Sequence, residues 1–188
     1  MNEKIAVIGA GSWGTALSVS LSGNGHTVKI WDLDKEHLKE LSDNRENVRY
    51  LPEVNFPDSL QISYTVAEAI ENADIVLFSV PAQHFRSALS GALPYLKSEM
   101  VLVNVAKGIE QKSLKRLSEI AFETLPDARY VVLSGPSHAE EVGRGLPTTL
   151  VAASDEQELA EYIQDVFMSD RLRIYTNSDV TGVELGGA

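Results

Sequence analysis

The sequence of 188 residues contains no cysteine. Its chemistry and stability therefore do not depend on disulfide bonds, thiolate nucleophiles or cysteine-ligated metal centres. The absence of cysteine is typical of a reducing compartment, and the short apolar segment after Lys4 lacks the length and cleavage site of a signal peptide. We therefore expect a cytoplasmic protein. No apolar run approaches the roughly 20 residues that span a bilayer, so we expect no insertion into a membrane.

Basic residues are also scarce. The chain has 16 Lys and Arg against 27 Asp and Glu, which gives a formal net charge of -11 at pH 7. We expect no nucleic-acid partner, because neutralising phosphates requires clustered basic side chains. We also expect no metal site, since the histidines and carboxylates lack the spacing of a metal-binding motif. The hydrophobic fraction of 44% is nevertheless typical of a globular protein with one substantial core.

Short apolar segments rich in Val and Ile alternate with longer amphipathic segments. The predicted strands are Ile5–Ile8, Thr27–Trp31, Gln61–Tyr64, Ile75–Val80, Val101–Val105, Tyr130–Leu133, Thr148–Ala153 and Leu172–Tyr175. The predicted helices are Trp13–Gly23, Lys35–Asp43, Thr65–Asn72, His84–Leu96, Ser113–Leu125 and Glu156–Met168. Nearly continuous apolar strands indicate burial on both faces, and the alternation predicts a doubly wound, mostly parallel α/β sheet of Rossmann type. The proline-containing stretch Asn44–Pro57 is predicted to be a loop.

The strongest motif directly follows the first predicted strand and opens the first predicted helix. Residues 9–14 read Gly-Ala-Gly-Ser-Trp-Gly. In such a loop the first glycine permits a tight turn, the second lets the backbone approach a pyrophosphate, and the third permits close contact between helix and strand. We interpret the motif as a dinucleotide-binding loop, with a simple tight turn as the alternative. Its candidate cofactor-binding residues are Gly9, Gly11, Ser12, Trp13 and Gly14.

Asp32 ends the second predicted strand, 18 residues after Gly14. A carboxylate at that position can accept hydrogen bonds from the ribose of the adenosine half, and it would repel the 2′-phosphate of NADP. The neighbouring Leu33 and Asp34 offer no arginine for that phosphate, and Lys35 is the only cation nearby in the sequence. We therefore favour NAD over NADP as the cofactor. A turn or helix-capping aspartate is the alternative role.

Two later strand ends carry candidate substrate-binding residues. Lys107 follows the fifth predicted strand, and ligands of open α/β sheets lie beyond the carboxyl ends of the strands. From spacing alone, a solvated loop lysine is an equally good interpretation of Lys107. Ser134–His138 follows the sixth predicted strand, where small residues leave space for a ligand. Ser137, His138 and Glu140 could suggest a hydrolase. Ser137 lies outside a G-x-S-x-G elbow, and residues so close in sequence rarely have the geometry of a catalytic triad, so a hydrolase is disfavoured.

Four segments taken together resemble the bacterial NAD(P)-dependent glycerol-3-phosphate dehydrogenases. They are Gly9–Leu17, Ser79–Ala82, Val105–Glu110 and Leu133–Val142, and the final Val183–Ala188 is similar to a fifth motif of that family, cut short. The resemblance covers essentially the whole chain. It implies an oxidoreductase that interconverts dihydroxyacetone phosphate and sn-glycerol 3-phosphate with NAD or NADP, for phospholipid synthesis.

The same resemblance implies roles for particular residues. The implied cofactor contacts are Ser12, Trp13 and Ala139. Lys107 would be the catalytic residue that reaches both cofactor and substrate, while Gly135 and Ser137 would line the substrate site. The partner would be a small phosphorylated substrate, and we expect the full-length protein to be a homodimer.

Two departures from the family pattern shape these expectations. The family's proton-transferring lysine follows shortly after the Leu185–Ala188 motif, and the chain ends before it, so we expect it to bind cofactor but to be catalytically incomplete. Many bacterial members carry a basic residue just after the second strand and use NADP, whereas residues 32–34 here read Asp-Leu-Asp.

We expect residues 1–178 to form a dinucleotide-binding domain and residues 179–188 to begin a helical substrate domain that is otherwise missing. An S-adenosylmethionine methyltransferase and a non-catalytic NAD-sensing module are the alternative interpretations.

Overall fold

The computed structural model describes residues 2–188. Its strands are β1 (Lys4–Ile8), β2 (Thr27–Trp31), β3 (Glu46–Asn47), β4 (Leu51–Asn55), β5 (Gln61–Ile62), β6 (Ile75–Phe78), β7 (Val101–Asn104), β8 (Arg129–Ser134), β9 (Thr148–Ala153) and β10 (Leu172–Asn177). Its helices are α1 (Ser12–Gly23), α2 (Lys35–Asn44), α3 (Val66–Ile70), α4 (Ala82–Ala92), α5 (Leu117–Thr124), α6 (Ala139–Gly143), α7 (Gln157–Phe167) and α8 (Val180–Gly186). A 3-10 turn at Leu93–Tyr95 follows α4.

Eight of the strands form one sheet in the order β10-β9-β8-β7-β6-β1-β2-β5. Neighbouring strands run parallel throughout this sheet, except that β8 and β9 are antiparallel. The chain leaves β1 through α1 to reach β2 on one side, while β6 lies on the other side of β1. The predicted doubly wound, mostly parallel sheet is therefore confirmed, and its switch point lies between β1 and β6.

The central strands are buried on both faces, because helices cover the sheet from both sides. Alternate side chains of a strand point to opposite faces, so β1 contributes to two cores. Val7 belongs to the core that includes Leu17 of α1. Ile8 belongs to the core that includes Phe78 and Phe85, whose rings lie edge to face with centroids 5.5 Å apart. This arrangement explains the apolar character of β1, β6 and β7 that the sequence shows.

The stretch Asn44–Pro57 is not a loop, and that prediction is wrong. β3 and β4 pair there as a short antiparallel hairpin, in which Leu51 and Val54 are buried. These two side chains pack so closely on α6 that a Cβ at Gly143 would lie 3.1 Å from each of them. The hairpin has no apolar alternation because few of its side chains face a core, so a periodic pattern could not indicate it.

The helix predicted to begin near residue 179 is present as α8. Its N-terminus is capped by Asp179, whose Oδ1 accepts a hydrogen bond from the backbone N–H of Gly182 at 2.8 Å. α8 packs on β8, and Gly187 lies against the side chain of Ser134, which ends that strand. The domain boundary at residue 179 stays a prediction. No helix formed by residues 2–188 is both long enough and apolar enough to cross a membrane.

Candidate active site

The glycine loop connects β1 to α1, as predicted. Gly9 has a φ of 109°, and a Cβ there would collide with the carbonyl oxygen of Ser79 at the end of β6. A Cβ at Gly14 would collide with the carbonyl oxygen of Gly9. Gly11 differs from both, because a Cβ there would meet nothing within 4 Å. Two of the glycines are thus required by packing, and the third leaves open space beside the start of α1.

The peptide groups on either side of Ala10 are held by three side chains from separate elements. The backbone N–H of Ala10 donates to Oδ2 of Asp32 at 2.8 Å. Its carbonyl accepts hydrogen bonds from Nε2 of His37 at 3.1 Å and from Nδ2 of Asn47 at 2.9 Å. Asn47 is fully buried and also lies 2.8 Å from Oγ1 of Thr15, in α1. The conformation of the glycine loop is therefore fixed from outside by β2, α2 and the hairpin.

Asp32 lies directly after β2, where the sequence places it, and both of its oxygens accept backbone hydrogen bonds. Oδ2 accepts from Ala10, and Oδ1 accepts from the N–H of Asp34 at 3.0 Å. Asp32 therefore braces the glycine loop, a role that the sequence alone did not indicate. Each carboxylate oxygen can accept more than one hydrogen bond, so these contacts leave capacity for a ribose hydroxyl.

A cavity of about 420 Å³ lies where four segments meet at the carboxyl ends of the strands. It is lined by Gly11, Ser12, Trp13, Ser79, Val80, Pro81, Val105, Ala106, Lys107, Ser137, His138, Ala139 and Glu140. Six of the predicted site residues therefore share one cavity: Gly11, Ser12, Trp13, Lys107, Ser137 and Ala139. Gly9, Gly14, Asp32 and Gly135 do not line it. The first three shape or brace the glycine loop instead.

Gly135 links the two predicted substrate-binding segments. Its carbonyl oxygen accepts hydrogen bonds from Nζ of Lys107 at 3.0 Å and from Oγ of Ser137 at 3.4 Å. A Cβ at Gly135 would lie 3.0 Å from the carbonyl oxygen of Thr149, so the position has little room for a side chain. The ammonium group of Lys107 carries three N–H donors, and one of them is used here. The others are free to bind an anionic oxygen in the cavity.

The Lys107 loop, residues 105–110, is fastened to α4 by side chains of that helix. Nε2 of Gln83 donates to the carbonyl of Ile109 at 2.8 Å. The guanidinium of Arg86 donates two hydrogen bonds to Glu110, each of 2.9 Å. The Arg86 guanidinium lowers the pKa of Glu110 to about 2. The loop is therefore held by a bidentate ion pair at neutral pH.

Sequence reasoning missed Asn47 and Arg49, both of the hairpin. Arg49 lies in the β3–β4 turn, with Nη1 3.4 Å from Oδ2 of Asp34 and its guanidinium 5.0 Å from the ring centroid of Tyr50. It is therefore a second cation near the end of β2, beside Lys35. Nothing in the local sequence pattern indicates either contact, because the hairpin approaches β2 only in the folded chain.

The serine, histidine and glutamate near the end of β8 do not form a hydrolase arrangement. His138 and Glu140 line the cavity, yet within residues 2–188 no hydrogen bond joins Ser137 to His138. Ser137 donates to Gly135 instead. Nor do three or more histidines or carboxylates of the described chain come together as a group that could hold a metal ion.

A glycine loop between β1 and α1, an acidic residue at the end of β2 and a cavity beside the switch point define a Rossmann-type domain with the features of dinucleotide binding. Residues 4–160 match the family described as NAD-dependent glycerol-3-phosphate dehydrogenase N-terminus. The chain belongs to that family. The match favours a dehydrogenase over the methyltransferase interpretation.

Individual relatives agree with the family assignment. The NAD(P)+ glycerol-3-phosphate dehydrogenase of Pelotomaculum thermopropionicum is 50% identical, over 100% of this chain and 55% of its own length. That of Fusobacterium nucleatum is 43% identical, over 98% of this chain and 56% of its own length. The crystal structure of glycerol-3-phosphate dehydrogenase from Coxiella burnetii superposes with a TM-score of 0.94 at 32% identity, covering 99% of this chain and 57% of that one. The chain spans about half the length of the curated relatives it matches.

Proposed function

We propose that this chain is the cofactor-binding part of a glycerol-3-phosphate dehydrogenase, which interconverts dihydroxyacetone phosphate and sn-glycerol 3-phosphate. One cavity is lined by Gly11, which leaves open space, by the start of α1 and by Lys107, and this arrangement is the main support for the proposal. An open glycine beside a helix N-terminus suits a pyrophosphate, and a lysine in the same cavity suits an anionic substrate. The relatives' names support glycerol 3-phosphate as the substrate, and oxidation of its secondary alcohol gives dihydroxyacetone phosphate.

The residues of the glycine loop fit a nicotinamide dinucleotide. The first backbone N–H groups of α1, at Ser12 and Trp13, have no partner within the helix and would bind the pyrophosphate. Gly11 leaves room for the phosphates to approach. Asp32 would accept a hydrogen bond from the adenosine ribose, which favours NAD over NADP. Ala139 would lie beside the cofactor, since it lines the same cavity.

Lys107 would provide the electrostatic part of the reaction. When bound, the nicotinamide would exchange a hydride with the carbon that bears the reacting oxygen of the substrate. Lys107 is the one lysine or arginine among the cavity-lining residues of the described chain, so its charge would stabilise negative charge on that oxygen. Gly135 would position Lys107 through its carbonyl oxygen, and Ser137, which donates to the same oxygen, would line the substrate site. We expect these 188 residues to turn over little substrate, because they span only about half the length of the curated relatives they match.

Titration of the chain with NADH and with NADPH tests the proposal. Trp13 lines the cavity, so energy transfer from tryptophan to the reduced nicotinamide would report binding. We expect saturable binding of NADH and weaker binding of NADPH. Failure to bind either cofactor would contradict the proposal for this chain.

A pair of glycine variants separates cofactor binding from folding. Gly11 has a φ of -71° and nothing near a Cβ, so Gly11→Val is expected to fold normally. The new side chain would occupy the space that the pyrophosphate needs, and NADH binding should be lost. Gly91→Val is the matched control, because Gly91 also has nothing within 4 Å of a Cβ and lies at the far end of α4. Equal NADH affinity in both variants would argue against binding at Gly11.

A further inference from the structure

We infer that Asp34 keeps this chain from accepting a 2′-phosphate, and that it does so by pairing with Arg49, the cation that would otherwise bind that phosphate. The inference rests on the proposed dinucleotide binding and deepens it. Asp34 lies two residues beyond Asp32, and its N–H donates to Oδ1 of Asp32 at 3.0 Å. It is therefore part of the loop at the carboxyl end of β2, where an arginine accommodates the 2′-phosphate in NADP-binding domains.

The two oxygens of Asp34 have separate partners, which fixes the direction of the carboxylate. Oδ1 accepts hydrogen bonds from the N–H groups of Glu36 at 3.0 Å and His37 at 3.1 Å, and so caps α2. Oδ2 lies 3.4 Å from Nη1 of Arg49. The cap holds the side chain in place, and the remaining oxygen meets the arginine.

Arg49 is placed where it can be released. Its side chain is 54% exposed, and that of Asp34 is 48% exposed, so the ion pair is solvated and contributes little to folding stability. The guanidinium of Arg49 lies over the ring of Tyr50, and this contact keeps Arg49 on the side of the hairpin where Asp34 lies. Removing the charge at residue 34 would therefore leave Arg49 in the same region without its ion-pair partner.

The charges around the end of β2 explain the expected discrimination. Asp32 and Asp34 bring two negative charges, and Arg49 and Lys35 bring two positive charges. The guanidinium of Arg49 is already paired with Asp34, so it does not attract a phosphate that carries up to two further negative charges. With a neutral residue at position 34, Arg49 would balance Asp32 and could form charge-assisted hydrogen bonds to the phosphate. Lys35 has no ion-pair partner among residues 2–188, so it is the rival cation that a test must separate from Arg49.

The test compares the NADH and NADPH affinities of the Asp34→Asn variant with those of the unaltered chain. Asparagine caps helices as well as aspartate does, so the variant keeps α2 while losing the charge. We expect NADPH to bind about tenfold more tightly than it binds the unaltered chain, with NADH affinity little changed. The gain in NADPH affinity should shrink as salt is added, because exposed charges are screened. Asp34→Ser, which also retains a capping oxygen, should behave in the same way.

Two double variants identify the cation. The gain should disappear in Asp34→Asn/Arg49→Gln and persist in Asp34→Asn/Lys35→Gln. The reverse pattern would overturn the role of Arg49. Unchanged NADPH affinity in both single variants, with normal NADH binding, would overturn the inference while leaving the proposed function intact. If the unaltered chain bound neither cofactor, the proposed function and the inference would both fail.

Discussion

The side-chain amide of Asn47 donates a hydrogen bond to the carbonyl of Ala10 at 2.9 Å, and this contact fastens the glycine loop to a hairpin 37 residues further along the chain. Asn47 is completely buried, and its amide also contacts Oγ1 of Thr15 at 2.8 Å. Because a buried polar group must find its partners within the protein, the hairpin and the loop specify each other's position. The conformation of the glycine loop is therefore a product of tertiary packing as well as of its glycines.

Asn47→Ala is expected to weaken both folding and cofactor binding. The substitution leaves a small cavity and removes one of the two side-chain donors to the Ala10 carbonyl, which should lower the free energy of unfolding by about 2 kcal/mol. NADH affinity should also fall, since the glycine loop loses part of its support. Denaturant unfolding and an NADH titration of the folded variant measure the two effects.

Asn55→Ala is the control for that variant. Asn55 is exposed and lies in the same hairpin, so its removal should change stability by less than about 0.5 kcal/mol and leave NADH affinity unaltered. Loss of stability without loss of NADH affinity in Asn47→Ala would mean that the contact serves the fold alone.

The ion pair between Arg86 and Glu110 predicts an acid-sensitive Lys107 loop. The pKa of Glu110 is lowered from 4.5 to about 2 in the folded chain, chiefly by the hydrogen bonds from Arg86. A carboxyl with a depressed pKa stabilises the fold fully above its unfolded value, and this contribution is lost as the pH falls from about 4.5 towards 2. Glu110→Gln should therefore be less stable than the unaltered chain at neutral pH and should approach it in stability as the pH falls through that window.

Urea unfolding of both proteins at a series of pH values measures that difference. Glu71→Gln is a suitable control, because Glu71 is exposed and forms no ion pair within the described residues. A stability difference between Glu110→Gln and the unaltered chain that does not vary with pH would contradict the prediction.

Glu184 is expected to be the main anchor of α8. Its carboxylate accepts hydrogen bonds from the N–H of Ser118 at 2.8 Å, from Nη1 of Arg116 at 3.0 Å and from the hydroxyl of Tyr130 at 3.2 Å. The Glu184 side chain is 5% exposed, so Glu184→Ala would leave these groups without their partner in a largely buried position. We expect a loss of about 3 kcal/mol in the free energy of unfolding.

Proteolysis of the folded protein gives a second measurement of the same effect. In Glu184→Ala, α8 should detach and become a preferred cleavage site, because no other side chain of residues 180–186 forms a hydrogen bond to another element. Glu158→Ala, at an exposed position of α7, is the control and should resist cleavage as the unaltered chain does. Equal cleavage in the two variants would show that apolar packing alone holds α8.

The sequence alone could predict those parts of the molecule that depend on local patterns. The eight strands of the main sheet follow from periodicity, and the tight turn at Gly9 and the close packing at Gly14 follow from a motif with known mechanics. The approach of a pyrophosphate at Gly11 stays a prediction. Asn47 and Arg49 could not be found in this way, because their contacts form only when the hairpin packs against β2 and α1. Asp32 was predicted as a ribose ligand, yet its contact with Ala10 depends on where the glycine loop lies in three dimensions.

Lys107→Met tests whether a local cation overcomes the overall negative charge of the chain. The formal net charge is -11, so an anionic cofactor approaches a repulsive surface and must be attracted by groups within the cavity. Lys107 is exposed at that cavity and is held by Gly135, and its loss should weaken NADH binding about tenfold. Lys107→Arg keeps the charge and should retain most of the affinity. Lys112→Met changes the net charge equally at an exposed position outside the cavity lining, so it should have little effect. Equal weakening by Lys107→Met and Lys112→Met would show that net charge, and not the position of Lys107, governs cofactor binding.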